Sequence, residues 1–380
     1  MMLPTLSLAL IFSLCAIAQE TAPGDIQPLL AAGDARYLRG EYDAAREAYE
    51  QAWDLAKELP RFDPLRYDAL KRLSASLAAL RQYAEANDYL SMALSWREQI
   101  NGQNDPKIAE DLLQSLVYLR ALKDYDGALA LLTRVIGLHV QAAHGLESTS
   151  VADDYSRMAQ VYMAMKKSDE AVGVLKTALG IRTRLAGPLD QTLIFDLDRL
   201  GTVYTGAQEY QKAEEAYRHS LTIRESIFGK DDADLIPNVD GLAFALFGQE
   251  KYDEAEPVYR RLIALWEAST APDHPMLAVA WQKLGVFYFK QKKYGQAKEA
   301  YEKGIAIRTL FLATGVGEQA ADTLTQGDKP AAIALYRKAL KSLDPPNPVY
   351  DCLRKDIEAM IAELGKKTDA QWKAAPVKKP

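Results

Sequence analysis

One short pattern returns along this chain at a nearly constant interval, and the interval decides what the chain can fold into. The marker is an alanine three residues after a tyrosine or its stand-in. It closes EYDAA at Ala45, QYAEA at Ala86, DYDGA at Ala128, KSDEA at Ala171, EYQKA at Ala213, KYDEA at Ala255 and KYGQA at Ala297. Successive spacings are 41, 42, 43, 42, 42 and 42, and an eighth copy, GDKPAA ending at Ala332, follows after 35. A fixed period of this size marks a stack of similar units, each of which buries its apolar side against its neighbours.

Within one period the apolar and small residues recur at three and four. In the fifth unit these are Leu197, Leu200, Gly201 and Tyr204, then Tyr210, Ala213, Ala216, Tyr217 and Leu221. That spacing predicts two amphipathic helices, interrupted by Gly206-Ala207-Gln208-Glu209. The small residues Gly201 and Ala213 are expected to let the two backbones approach, with Tyr204 and Tyr217 filling the space around them. Asp105-Pro106 and Asp273-His274-Pro275 place a capping side chain and a proline at helix starts. After Asp344-Pro345-Pro346-Asn347-Pro348, residues 349–364 read as one more amphipathic helix. Arg354, Lys355, Glu358 and Glu363 are expected on its outer side, as suits the end of a stack.

These residues resemble the tetratricopeptide repeat. Leu200-Gly201, Tyr204, Tyr210, Ala213 and Tyr217 carry the likeness, as do Leu284-Gly285, Tyr288, Tyr294, Ala297 and Tyr301, and Leu242-Ala243, Tyr252, Ala255 and Tyr259. The forty-two-residue period is longer than the usual thirty-four and is similar to the kinesin light chain type. So are SLTIRESIFGKDDADL at 220–235, APDHPMLAVAW at 271–281, and the Ile-Arg pairs at 181–182, 223–224 and 307–308. The likeness covers roughly residues 29–340. In repeat three Tyr118 is one place out of register, in repeat four Ser168 replaces the tyrosine, and repeat eight lacks the tyrosine before its alanine. The resemblance implies an all-α, right-handed solenoid of about eight helix pairs with a C-terminal capping helix.

It also implies where a partner would sit, because first helices line the concave face of such arrays. The inner positions of repeats five to seven then include Phe195, Asp198, Thr202, Asp240, Phe244, Phe247, Gln282, Val286 and Phe289. Four phenylalanines here, of nine in the chain, are suited to anchor a bound peptide, or else they pack between repeats. Both readings stay open. A second pattern is basic: Arg72, Arg157, Arg199 and Lys283 precede the Leu-small or Met-small pair in repeats two, four, five and seven. They form either a ladder of donors for an acidic partner or ion pairs with Asp68, Asp153, Asp198 and Asp240, and the second reading is preferred. Related repeats that clamp a carboxylate terminus tend to use asparagine near these positions, so their ligands do not carry over. The candidate groove is Arg157, Phe195, Arg199, Thr202, Phe244, Phe247, Lys283 and Phe289.

Composition bounds the function further. The 380 residues are 48% hydrophobic and 26% charged, with a net charge of -6. The last sixteen residues hold five lysines against one aspartate, a local +4, so the rest carries -10. An acidic body argues against nucleic-acid binding, which needs a basic face. Leu3 to Ala18 is uncharged and ends in Ala16-Ile17-Ala18, the small-x-small pattern of a secretory signal cleaved after Ala18. Met1-Met2 adds no Lys or Arg before it. Sixteen residues fall short of the roughly twenty that span a bilayer, and Phe12-Ser13-Leu14 before Cys15 does not suit a lipoprotein. The mature chain, periplasmic or secreted, would keep Cys352 alone and no internal disulfide. Cys352 is expected to be a buried structural thiol.

No catalytic constellation is legible. His139 and His144 are five apart, where a zinc helix motif wants four, and His219 and His274 have no partner set. The acidic run at 231–234 lacks the glycine and closing glutamate of a calcium hand. The expected organisation is a signal at 1–18, a linker at 19–28, the array at 29–346, a capping helix at 347–365 and a basic disordered tail at 366–380. The expected function is a non-catalytic scaffold that needs no cofactor or metal and holds an extended peptide or partner protein. The alternatives are a receptor for a small ligand or cell-envelope component and, third, an enzyme with an unfamiliar site.

Overall fold

The computed structural model describes residues 26–344 and 351–366. The proposed signal, most of the linker and the basic tail beyond Lys366 lie outside the described residues, as do residues 345–350 and the side chains of Cys352 and Glu363. Among the described residues every regular element is a helix.

The chain divides into two compact units, Met1–Gly187 and Pro188–Pro380. The first holds α1 (Ile26–Leu38), α2 (Tyr42–Ala56), α3 (Pro64–Ala79), α4 (Tyr83–Asn101), α5 (Lys107–Leu122), α6 (Tyr125–Ala142), α7 (Thr149–Ala164) and α8 (Ser168–Ala186). The second holds α9 (Ile194–Gly206), α10 (Tyr210–Phe228), α11 (Ile236–Gly248), α12 (Tyr252–Ser269), α13 (Pro275–Lys290), α14 (Tyr294–Thr325), α15 (Lys329–Ser342) and α16 (Asp351–Lys366). Within each unit, every helix packs on the next in sequence. All eight marker alanines, from Ala45 to Ala332, are buried in the second helices of their pairs.

Each pair turns through the same device. The residue two before the second helix takes the left-handed conformation: Gly40, Arg81, Lys123, Lys166, Gln208, Glu250, Lys292 and Gly327. These positions have the same spacings as the marker alanines. The next N–H reaches back five residues, from Gln82 to the Leu77 carbonyl at 2.9 Å and from Glu209 to the Tyr204 carbonyl at 2.8 Å. Such bonds satisfy carbonyls left open at the helix end. Only the first and last of the eight are glycine. Between pairs, a side chain caps the incoming helix or its leading turn. Asp63 accepts from Leu65 N at 2.9 Å and Asp105 from Lys107 N at 3.0 Å. Ser148 accepts from Val151 N at 3.2 Å and Asp232 from Asp234 N at 2.8 Å. Before Pro275 the cap is His274, whose Nδ1 accepts from Met276 N at 3.3 Å while its ring stacks on Trp266.

The short eighth period has a physical cause. Elsewhere in the second unit a segment such as Gly229–Leu235 separates one pair from the next. Between repeats seven and eight that segment is missing, and the second helix of one runs into the first helix of the other as the 32-residue α14. Seven residues are nearly two full turns, so their loss leaves the helical phase almost unchanged. The eighth pair is therefore the C-terminal part of α14 with α15. Helix α16 then packs on α15 through Ile357 and Leu364, in a cluster with Tyr336, Ala339 and Leu343. Arg354 is not on the outer side of α16 as expected. Its Nη2 donates to the Leu343 carbonyl at 2.6 Å and to Asp344 at 2.7 Å, tying α16 to the end of α15, while Lys355 and Glu358 face solvent.

Candidate functional site

The side chains that the first helices of the second unit leave exposed form the candidate site. In α9, α11 and α13 the residues facing the helix partner are Leu, Ala, Val, Gly and Tyr, and they are buried. Between them remain Phe195, 68% exposed, Phe244, 44%, and Phe289, 55%, with Thr202 and Val286 also exposed. Phe244 lies edge-on to Tyr210 at 6.2 Å and Phe289 edge-on to Tyr294 at 5.7 Å, so one edge of each is supported and the rest faces water. Phe247 differs. It is half-buried, 6.0 Å from the buried ring of Phe287 and 6.2 Å from Tyr252, and belongs to the packing between repeats rather than to the exposed row. Thr202 Oγ donates to the Asp198 carbonyl at 2.9 Å, a bond within its own helix.

The basic positions are all paired with acids, though not always with the acids expected. Arg72 Nε donates to Asp34 at 3.0 Å and Arg72 reaches Asp68 at 3.6 Å. Lys283 Nζ lies 2.6 Å from both oxygens of Asp240, one repeat earlier. Arg157 pairs with Asp154 at 2.7 Å, not with Asp153, and Arg199 with Asp196 at 3.3 Å, not with Asp198. Residues three and four earlier are both neighbours on a helix, but Asp153 and Asp198 are engaged by arginines of the second helices. Those arginines are Arg182 at 2.5 Å and Arg224 at 2.8 Å.

Arg182 and Arg224 belong to a column that the sequence shows only as a recurring Ile-Arg pair. The equivalent residues of successive second helices are Arg97, His139, Arg182 and Arg224. The equivalent positions of the following first helices are Asp111, Asp154, Asp196 and Asn238, all buried. Arg97 lies 3.4 Å from Asp111, which also accepts from Tyr67 Oη at 2.8 Å and pairs with Lys71 at 3.0 Å. His139 Nδ1 is 2.5 Å from Asp154. Burial pushes the Asp154 carboxyl up, against the pull of His139 and Arg157. Asp198 accepts from Ser220 at 2.6 Å, Asn238 at 2.5 Å and Arg224. Within each unit these groups bond helix to helix, with the Arg224 Nε and Asn238 Oδ1 atoms left over, which is a structural role.

The remaining histidines are also structural. His219 Nε2 is 2.6 Å from the Pro188 carbonyl, and His144 occupies a left-handed turn. Among the described residues no group of three or more His, Cys, Asp or Glu is placed to hold a metal ion. No helix of the described residues is long and apolar enough to cross a membrane. The first unit adds two clefts that the repeat pattern did not announce. One, of about 440 Å³, lies among Val117, Arg120, Ala121, Tyr125 and Ala164, and the other, of about 430 Å³, lies beside Trp53 and Trp96.

Stacked antiparallel helix pairs with a constant period and a side-chain row on the first helices define a helical-repeat protein. Part of the chain matches a known repeat family. A tetratricopeptide repeat family model matches residues 151–226 and 235–309. Among solved structures, the C-terminal part of a TPR repeat-containing protein from Cytophaga hutchinsonii superposes with a TM-score of 0.54 at 15% identity, over 73% of this chain and 95% of that one. BtubC from P. vanneervenii aligns at 16% identity with a TM-score of 0.47, over 63% of this chain and 91% of that one. Kinesin light chain TPR-like repeats from Podosopora anserina align at 19% with a TM-score of 0.47, over 53% and 96%. No curated protein matches the chain in sequence. Residues 151–226 and 235–309 are tetratricopeptide repeats, and the same pattern of helix pairs continues on either side of them.

Proposed function

We propose that this protein is a non-catalytic scaffold that binds an extended segment of a partner protein along the first helices of its second unit. The observation that carries the reading is the row of Phe195, Phe244 and Phe289, large apolar side chains left in water on three consecutive first helices. Charge on the same helices is neutralised internally by Arg199–Asp196 and Lys283–Asp240. The half-exposed Lys283–Asp240 pair contributes little, whereas Asp196 is buried and stays with Arg199. The partner is then held chiefly through apolar side chains spaced along its backbone, and only secondarily through a carboxylate displacing Asp240 from Lys283.

We further propose that the chain is exported, with cleavage after Ala18, on the strength of the uncharged run from Leu3 to Ala16-Ile17-Ala18. N-terminal sequencing of the protein from its native cells tests this. A first residue of Gln19 supports export, and a retained Met1 or Met2 removes it.

The binding reading is tested by placing a photo-crosslinking amino acid at position 244, on the row, or at position 212, exposed on a second helix. One protein crosslinked from 244 and not from 212, and lost from a Phe195→Ala, Phe289→Ala background that keeps its helical circular dichroism, is the expected result. Equal crosslinking from both positions rules out this face as the site.

A further inference from the structure

The first unit contains a built recess that the scaffold reading leaves unused. It lies where the end of α2, the connection at 57–63, the start of α3 and the outer side of α4 meet. Its lining includes Trp53, Arg61, Arg66, Leu70, Met92 and Trp96, and its volume is about 430 Å³. Small-molecule sites usually enclose roughly 300–1,000 Å³ and combine apolar walls with a few fixed polar groups. Here Trp53 and Leu70 are buried and form the base, while Met92 is exposed at the side.

The walls are held in place before anything binds. Trp96 Nε1 donates to the Arg61 carbonyl at 3.0 Å, and its ring stacks on Tyr67 with centroids 5.6 Å apart. Arg61 Nη2 donates to Gln99 Oε1 at 2.7 Å, and Gln99 is itself fixed by donating to Ser95 Oγ at 3.1 Å. Arg66 Nη1 donates to the Leu59 carbonyl at 3.2 Å, and its guanidinium stands 5.7 Å from the centre of the Trp53 ring. A site that is already ordered loses less freedom on binding.

The two arginines set the ligand's charge. Elsewhere in this unit Arg72, Arg97, Arg134, Arg157 and Arg182 pair with carboxylates, while Arg36, like Arg66, donates to a carbonyl. Neither Arg61 nor Arg66 pairs with a carboxylate among the described residues. Each spends a single N–H on the protein, on an amide or carbonyl oxygen, and keeps the others. A guanidinium fork matches the two oxygens of a carboxylate. Flat indole faces and a thioether beside it match a planar apolar body. We propose that this recess is a binding site for a small aromatic carboxylate, its carboxylate on Arg61 and Arg66 and its ring against Trp53, Met92 and Trp96.

The probes are 1-naphthoate, benzoate and the uncharged 1-naphthalenemethanol, titrated into the full chain by calorimetry and by following the indole N–H resonances. The expected result is saturable one-to-one binding of 1-naphthoate, weaker binding of benzoate, movement of the Trp96 N–H signal, and at least tenfold weaker binding of the alcohol. Arg61→Gln and Arg66→Gln should each raise the dissociation constant tenfold or more. Arg61 is exposed, so its variant decides the matter if Arg66→Gln disturbs the connection it supports. The Phe195→Ala, Phe289→Ala protein should bind 1-naphthoate as the wild type does, which separates this site from the first-helix row. No saturable binding of either carboxylate, equal affinity for the alcohol, or indifference to Arg61→Gln would overturn the proposal.

Discussion

The ring of Tyr217 in α10 lies between two glycines, and each takes the place where a side chain would collide with it. A Cβ at Gly201 in α9 would stand 2.6 Å from the Tyr217 Cε1, and a Cβ at Gly241 in α11 would stand 2.5 Å from its Cζ. Tyr217 therefore links the first helices of repeats five and six. The arrangement recurs, since a Cβ at Gly285 would stand 2.8 Å from the Tyr301 ring and one at Gly33 would meet Tyr49. The small residue in the Leu-small pair makes room for a tyrosine sixteen residues on, more than for the marker alanine twelve residues on. Gly201→Ala should destabilise the protein by about 1–3 kcal/mol through overpacking. Urea unfolding checks this, and adding Tyr217→Leu should recover part of the loss. An unchanged Gly201→Ala midpoint would contradict the packing described.

The left-handed turns predict the opposite sign. Gln208 and Glu250 have φ near +61°. That conformation costs an L-residue about 1–2 kcal/mol and glycine almost nothing. Glycine gives back about 0.5–1 kcal/mol in unfolded-chain entropy. Gln208→Gly and Glu250→Gly should each stabilise by about 0.5–1 kcal/mol, read as a higher denaturant midpoint with an unchanged slope. Destabilisation by both would mean that their side chains do more than tolerate the turn.

Glu214 gives a pH dependence with a definite sign. Burial acts to raise its carboxyl, but hydrogen bonds from Lys251, Arg218 and Gln249 outweigh it and hold the pKa down at about 2, because each bond favours the charged form. The donors stand at 2.8 Å for Lys251, 2.7 Å for Arg218 and 2.8 Å for Gln249. A depressed carboxyl adds stability that is fully present above its ordinary value of 4.5 and is lost as pH falls through about 2. The wild type should exceed Glu214→Gln by at most about 3 kcal/mol near neutrality. That gap should close between pH 4.5 and 2. Guanidinium unfolding of both proteins across this window measures it, and a gap independent of pH would remove Glu214 as the titrating group.

Asp111 is the most heavily loaded acid in the column between repeats. Its carboxylate is buried and serves Tyr67, Lys71 and Arg97 together. Removing it leaves Arg97, itself mostly buried, without an acid. Asp111→Ala should cost about 3 kcal/mol or more, the range for breaking a buried pair from one side. Arg157→Met should cost about 1 kcal/mol or less, because its guanidinium reaches water and the pair gains little there. Asp154 also keeps His139 when Arg157 is gone. Comparable losses in the two variants would refute the distinction.

What was legible in the sequence follows from which interactions are periodic. Helix pairs, marker alanines and turn positions repeat in every unit, so their spacing announces them. The exposure of Phe195, Phe244 and Phe289 agrees with their phase on the first helices. Phe247 has the same phase as Phe289, yet it meets the buried Phe287 of the next repeat, which intra-repeat periodicity does not report. The choice of Asp154 over Asp153 and of Asp196 over Asp198 follows from Arg182 and Arg224, which hold Asp153 and Asp198 from the paired second helices. The recess at Trp53 and Trp96 was invisible because its lining comes from three helices and a connection, and its residues are not part of the repeated pattern.

Equivalence of the turns also predicts what happens when one whole period is removed. Deleting 207–248 joins Gly206 to Gln249, so that Glu250 takes the left-handed place of Gln208 and Tyr252 the place of Tyr210. Helix α9 then leads into α12 through a turn of unchanged length. The joint held by Glu214 and the seat of Tyr217 are lost with the deleted helices. The stack keeps its other neighbour contacts, because stability in such arrays is roughly a sum over units and their interfaces. The shortened chain should keep its helicity per residue and unfold cooperatively. Its denaturant slope should be smaller, because less surface is exposed on unfolding. Circular dichroism with urea titration reads both quantities, and a chain without helical signal would show that the array depends on contacts beyond nearest neighbours.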